Sequence, residues 1–203
     1  MLQQLGAGII LQMNSQNWMN FPEGLPVPVD DGAAAHLTGV KLPSITLPAT
    51  TGGLVDLSAQ RGRTVVFAYP RTGKPGEDPL TPDWDSIPGA RGCTPHTCGF
   101  RDLYREFQAV GCAVYGLSTQ DTDYQREMAE RLHVPFPVLS DAKLELTQAL
   151  RLPIFTVAGR ILLKRLAWVA DGKRISKVFY PVFPPDKNAD QVLTWLHGAR
   201  KRQ

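Results

Sequence analysis

Hydrophobic and polar positions along this chain follow two periods. Thr64-Val65-Val66-Phe67-Ala68-Tyr69 is a continuous apolar run of strand length, the pattern of a strand buried on both faces, and Pro70 ends it. Residues 112–117 and 136–139 read as further strands. Between them the period changes. Phe100, Leu103, Tyr104 and Phe107 recur at helical spacing within residues 94–110. Asp121 and Thr122 cap a predicted helix over 123–132, with Met128, Ala129 and Leu132 on its apolar face. Ser140-Asp141 caps another through Leu150, and residues 186–196 close the chain as a helix. Two hairpins are predicted. Residues 44–48 and 54–57 flank Thr50-Thr51-Gly52-Gly53, and residues 161–169 and 175–180 flank Asp171-Gly172. Strands alternating with helices, then a hairpin and a helix, predict an α/β fold: a mixed central sheet flanked by helices on both faces.

Length and composition narrow this picture without changing it. With 203 residues, 43% hydrophobic and 20% charged, the chain suits one well-cored domain with an appendage, or at most two small domains. A formal charge of +3 is too small to point to nucleic acid, and Arg200-Lys201-Arg202 reads as a solvated end. Residues 1–22 carry no charge, and Pro22, Pro26 and Pro28 follow. They read as part of an N-terminal extension, residues 1–40, docked on the body (residues 41–203) or on a second subunit. Met13 and Met19 leave a later start open. No stretch reaches the roughly 18–20 apolar residues of a membrane span. Residues 5–13 are apolar but short, with no preceding Lys or Arg, so they fail as a signal peptide. Three cysteines are an odd count and too few for a disulfide scaffold; a reducing cytoplasm is the expected setting.

The chemistry is concentrated in Gly92-Cys93-Thr94-Pro95-His96-Thr97-Cys98-Gly99-Phe100-Arg101-Asp102. An irregular Pro-, Gly- and Asp-rich stretch, residues 71–88, delivers the chain to it. Loops of that length inside a domain are functional or mobile. Pro95 fits the first turn of a helix, so Cys93 falls at its N-terminus, beside unpaired N–H groups. Positions i and i+5 of an ideal helix have Cα atoms roughly 8.7 Å apart, whereas a disulfide needs less than about 7 Å. A bond between Cys93 and Cys98 therefore requires the first turns to unwind, which Pro95 and Gly99 ease. Two thiols in this arrangement read as a reversible pair.

The pair alone is not enough for fast peroxide chemistry. Lowering a thiol's pKa from ~8.5 to ~6 gains roughly one order of magnitude in thiolate at neutral pH. Nucleophilicity then falls by about as much. Donors aimed at the departing oxygens must supply the rest. Arg165 is the leading candidate: on a strand over 161–169 it shares a face with Leu163, Ala167 and Val169, where a cation is costly without an anion. Lys164, between Leu162 and Leu166 on the opposite face, is either an edge residue or the true partner.

The segment around Cys93 resembles the peroxiredoxins, specifically the Q-type or bacterioferritin comigratory protein group. The resemblance extends over roughly residues 42–196 and includes Phe67-Ala68-Tyr69-Pro70, Tyr115-Gly116-Leu117-Ser118, Val138-Leu139-Ser140-Asp141 and Ala170-Asp171-Gly172-Lys173. It implies a thioredoxin-like fold and thiol-dependent reduction of hydrogen peroxide or organic hydroperoxides. It further implies Cys93 as peroxidatic cysteine, Cys98 as resolving cysteine in an intramolecular disulfide, and Arg165 as the arginine contacting thiolate and peroxide. Thr94 and Arg165 are the expected substrate-binding residues. A thioredoxin- or glutaredoxin-like dithiol protein would be the reductant, with no metal or organic cofactor, in a monomer or homodimer. Two departures stand out. The family carries Thr or Ser three residues before its peroxidatic cysteine, where this chain has Ala90; Thr94, Ser86 or backbone N–H groups are the candidate substitutes. The usual short Pro-to-Cys connection is interrupted by residues 71–88.

Other readings stand beside this one. A thiol–disulfide oxidoreductase on the same fold without efficient peroxidase activity is favoured by Ala90, and a redox-sensing interaction protein by the uncharged N-terminus. Cys93, His96 and Cys98 have the softness for zinc but show no fourth ligand. His96 reads as an exposed helix residue, with a catalytic base as the alternative. Cys112 reads as a buried strand cysteine, and Arg101 and Asp102 as a structural pair. Trp84 either lids the site or packs the loop down.

Overall fold

The computed structural model describes residues 24–200, so the expectation for residues 1–22 lies outside the described residues. The apolar run expected at the centre of the sheet is β3 (Arg63–Ala68). It pairs in parallel with β4 (Cys112–Ser118) and antiparallel with β8 (Leu166–Asp171). The five-stranded sheet has the order β5-β4-β3-β8-β9, with β5 at Val138–Ser140 and β9 at Arg174–Phe179. Both hairpins are present. One is β8–β9; the other is β1 (Thr46–Pro48) with β2 (Leu54–Asp56), in a separate sheet.

Alternate residues of β3 point into two cores, as the pleat of a strand requires. Val65 and Phe67, with Tyr69 just past the strand end, meet Phe100, Phe107, Met128, Val192 and Leu196. These come from α1 (Cys93–Asp102), α2 (Tyr104–Ala109), α3 (Thr122–Arg131) and α5 (Asn188–Arg200). Val66 and Ala68 face Leu117, Leu139, Trp168, Leu146 and Leu150 on the other side. The last two belong to α4 (Glu145–Leu150). The fold is α/β and thioredoxin-like, with a mixed sheet covered on both faces.

Residues 24–40 lie against this second face: Ala34 and Leu37 are buried in its core, and Nε2 of His36 is 2.9 Å from the Leu150 carbonyl oxygen.

Several boundaries differ from the sequence expectation, each for a tertiary reason. The helix expected over 94–110 breaks at Leu103, whose backbone leaves helical geometry between α1 and α2. The helix after Asp141 begins only at Glu145, because the Asp141 carboxylate reaches forward to accept the N–H groups of Leu146 and Thr147 at 3.1 and 2.7 Å. The closing helix is preceded by a short 3-10 turn at Pro185–Lys187. Most consequential is the strand expected over 161–169. It is two strands, β7 (Arg160–Leu163) and β8, interrupted at Lys164 and Arg165. β7 folds back on β6 (Ile154–Val157) in its own two-stranded sheet, so the chain must turn before β8 joins the main sheet. Arg165 sits on that turn.

Candidate active site

Cys93 is the first residue of α1, and Gly92 before it adopts φ 101°, ψ 20°, a left-handed conformation that a side chain would strain. The N–H groups of Cys93 and Thr94 fall at the positive end of the helix, without intrahelical acceptors. The Cys93 thiol is buried, with Sγ 3.6 Å from the Ala90 carbonyl oxygen.

Arg165 approaches the same sulfur from the β7–β8 turn. Its Nη2 donates to Cys93 Sγ at 3.2 Å. The same nitrogen lies 3.2, 3.3 and 3.1 Å from the carbonyl oxygens of Gly89, Ala90 and Arg91. The chain entering α1 therefore wraps the guanidinium in carbonyls and holds it against the sulfur. Arg165 is buried, and among the described residues it has no ion pair with a carboxylate. The polar surroundings of this buried cation are carbonyls, one imidazole nitrogen and the sulfur, with no anion among them to offset its desolvation.

His96 completes the arrangement and corrects the sequence reading. It is fully buried rather than exposed. Its Nδ1 lies 3.1 Å from Arg165 Nη1, and its Nε2 lies 2.9 Å from Asn188 Oδ1. Arginine only donates, so Nδ1 accepts and the ring proton sits on Nε2, donating to Asn188. Burial and the adjacent Arg165 charge hold the His96 pKa well below its ordinary value, so the ring is neutral. A neutral imidazole already engaged at both nitrogens orients Arg165; it is not a free base.

Cys98 lies on α1 at the aromatic core, buried, and desolvation raises its pKa. Both cysteines and Cys112 are free thiols. Cys112 is buried on β4, and its pKa is pushed up to about 12 by the same cause.

A cleft of about 30 Å³ opens over Cys93. A water-sized ligand needs roughly 10–15 Å³ by this measure, so the cleft suits a diatomic head group. Thr94 lines it, and its hydroxyl makes no hydrogen bond to the described residues. Ala90 is wholly buried beside Trp84 and Leu162, and Ser86 is exposed away from the cleft. Of the two side chains expected to replace the missing hydroxyl, Thr94 alone reaches the cleft. The inserted stretch supplies Asp78, Pro79, Leu80 and Trp84 to its wall, so Trp84 both packs the loop and bounds the site.

Sequence reasoning missed Thr72, Gln120 and Asn188. Thr72 also lines the cleft; its N–H donates to Gln120 Oε1 at 2.9 Å, and its carbonyl accepts from Gln120 Nε2 at 3.1 Å. A glutamine clamping a loop backbone from 48 residues away has no local sequence signature. Lys164 is not the thiol's partner; it forms an ion pair with Asp31 at the surface. Arg101 and Asp102 pair as expected, Nε to Oδ1 at 2.8 Å. Among the described residues no group of three or more His, Cys, Asp or Glu is placed to hold a metal ion. No helix among them is long and apolar enough to cross a membrane.

A buried thiol at a helix N-terminus on a thioredoxin-like sheet, with an arginine from the β7–β8 turn against its sulfur, defines a class. The profile of the redoxin family matches residues 37–193. The chain is 30% identical over 161 residues to Peroxiredoxin Q, chloroplastic, of Populus jackii, covering 77% of this chain and 66% of that protein. It is 30% identical over 166 residues to a putative peroxiredoxin, MT1643, of Mycobacterium tuberculosis, covering 80% and 97%. The solved structure of the peroxidoxin BcpB from Mycobacterium tuberculosis superposes with a TM-score of 0.64 at 29% identity, covering 79% of this chain and 96% of that one. The chain belongs to the redoxin family, among its peroxiredoxins of the Q or bacterioferritin comigratory type.

Proposed function

We propose that the chain is a thiol-dependent peroxidase that reduces hydrogen peroxide and organic hydroperoxides through Cys93. The observation that carries this reading is the Arg165 guanidinium 3.2 Å from the Cys93 sulfur with no carboxylate among the described residues to neutralise it. The thiolate attacks one peroxide oxygen, the O–O bond breaks, and the departing alkoxide or hydroxide takes a proton to leave as alcohol or water. Arg165 and the first-turn N–H groups face the charge that develops on the departing oxygen. The Thr94 hydroxyl is the substrate contact that replaces the side chain absent at Ala90. Cys93 is then a sulfenic acid. Cys98 condenses with it, forming a disulfide and releasing water, once the first turns of α1 unwind. A thioredoxin- or glutaredoxin-like dithiol reduces the disulfide by exchange and is itself oxidised.

The reading places the catalytic domain at residues 41–203 behind an extension at 1–40, in a cytoplasmic monomer or homodimer. Intact mass spectrometry with thiol labelling after one equivalent of peroxide tests it. The expected product has lost two hydrogens, mapped to Cys93 and Cys98. A Cys93→Ser variant that consumes peroxide with reductant as fast as the unaltered chain would sink it.

The missing hydroxyl at Ala90 favours a second reading, a thiol–disulfide oxidoreductase without efficient peroxidase activity. Stopped-flow fluorescence separates the two: a peroxide rate no better than that of free cysteine selects the exchange enzyme.

A further inference from the structure

We propose that His96 is a latch: it holds the Cys93 turn folded against Arg165, and its withdrawal sets the rate at which Cys93 and Cys98 can join. The inference rests on the peroxidase reading of the two cysteines and adds a positioning residue that controls the step between them.

His96 lies between the two cysteines in sequence, three residues after Cys93. It is also the bridge between Arg165 and α5, through Nδ1 to Arg165 and Nε2–H to Asn188. The ring stands edge-on to Phe67 and Phe100, with centroids 5.1 and 5.5 Å away. Close approach of α1 to the Pro185–Lys187 turn, which delivers Asn188, depends on Gly99: a Cβ there would come within 3.2 Å of the Asp186 carbonyl oxygen. Both hydrogen-bond partners of the ring, Arg165 and Asn188, lie outside the segment that must move.

Bringing Cys93 and Cys98 within disulfide distance unwinds the turn that contains His96. The imidazole must then leave a fully buried site and give up both hydrogen bonds. Arg165 loses its Nη1 partner in the same event, so the guanidinium is released as the sulfur departs. While the latch is closed, the Cys93 sulfenic acid has only a second peroxide to react with. That reaction inserts one more oxygen to give the sulfinic acid, and the peroxide leaves as alcohol or water. Opening the latch lets the Cys98 sulfur displace the sulfenic oxygen as water. His96 thereby sets the partition between resolution and overoxidation.

Two variants test this. His96→Leu keeps apolar volume against Phe67 and Phe100 and removes both hydrogen bonds. Asn188→Leu removes only the acceptor at α5 and leaves the Arg165 contact in place. In stopped-flow traces, His96→Leu should slow the first oxidation and speed disulfide formation about tenfold or more, in keeping with two lost hydrogen bonds. Asn188→Leu should speed disulfide formation by a smaller factor. Intact mass at graded peroxide should show less sulfinic acid in both. Leu146→Ala, a loss of packing in the core on the other face of the sheet, is the control and should leave the ratio of the two steps unchanged. Disulfide formation that is unchanged or slower in both variants overturns the latch. If the unaltered chain does not react with peroxide at all, the peroxidase reading fails instead. The latch is then decided by thiol labelling of reduced protein, where His96→Leu should expose the buried Cys98 to reagent faster and an unchanged rate overturns it.

Discussion

Arg165 and Cys93 are 72 residues apart in sequence, and their Nη2 and Sγ atoms lie 3.2 Å apart. One guanidinium reaches His96 through Nη1 while Nη2 meets the sulfur and three carbonyls. A lysine ammonium is a single point charge and cannot span both sides. Arg165→Lys should therefore lower the second-order rate of Cys93 oxidation by about 10²–10³, the usual loss when one preorganised donor is removed. Stopped-flow tryptophan fluorescence measures it; an unchanged rate removes Arg165 from the chemistry.

Cys98→Ser separates the two halves of the cycle. The first oxidation should proceed at the rate of the unaltered chain, since Cys98 makes no contact with the cleft over Cys93. Turnover with a dithiol reductant should slow sharply, and Cys93 should accumulate as sulfenic and then sulfinic acid. Peroxide consumption assays and intact masses report the two effects independently.

Thr94 lines the cleft and its hydroxyl has no hydrogen-bond partner among the described residues, so removing it should cost the substrate and spare the fold. Thr94→Val should reduce kcat/KM roughly five- to tenfold, the value of one hydrogen bond at about 1 kcal/mol. Its thermal midpoint should stay close to that of the unaltered chain. A loss confined to stability, with kcat/KM unmoved, would return the substrate contact to backbone N–H groups.

Burial raises the thiol pKa of Cys98, and that of Cys112 to about 12. In the unfolded chain both thiols titrate near ~8.5. Below that pH folded and unfolded states hold the same protons, and the contribution to stability is complete. Above it the unfolded chain loses protons that the folded chain keeps, so stability falls as pH rises from about 8.5 toward 12. Urea midpoints should decline from pH 8 to pH 10, and Cys112→Ala should flatten that decline. An equal slope in the variant would assign the loss to other groups.

How far the fold could be read from the chain is clear from β3 and β7. The run Thr64–Tyr69 is apolar on both faces, and only a strand between two layers needs that pattern; the structure places it there. Residues 161–169 show the same apolar character, yet they are two strands in two sheets. Nothing in their periodicity marks the turn at Lys164 and Arg165, because a break in pairing depends on β6, a partner seven residues before the turn. Arg165 stands out in the sequence for its cost on an apolar strand face, yet it lies off the strand, between β7 and β8. His96 was misread for a related reason. A histidine on a helix is solvated unless something receives both nitrogens, and its two receivers lie 69 and 92 residues away.

Local chemistry was thus determined by the sequence alone: a thiol at a helix start, a second thiol five residues on, a helix that must open for them to meet, and an apolar central strand. These follow from short-range geometry and from periodicity, which act between neighbours. Tertiary structure alone decided the surroundings of the sulfur. The carbonyl cage around Arg165, the neutral tautomer of His96, the free hydroxyl of Thr94 and the cleft wall from residues 78–84 join segments distant in sequence. Burial, charge and hydrogen-bond partners belong to that packing, and reactivity at Cys93 depends on them.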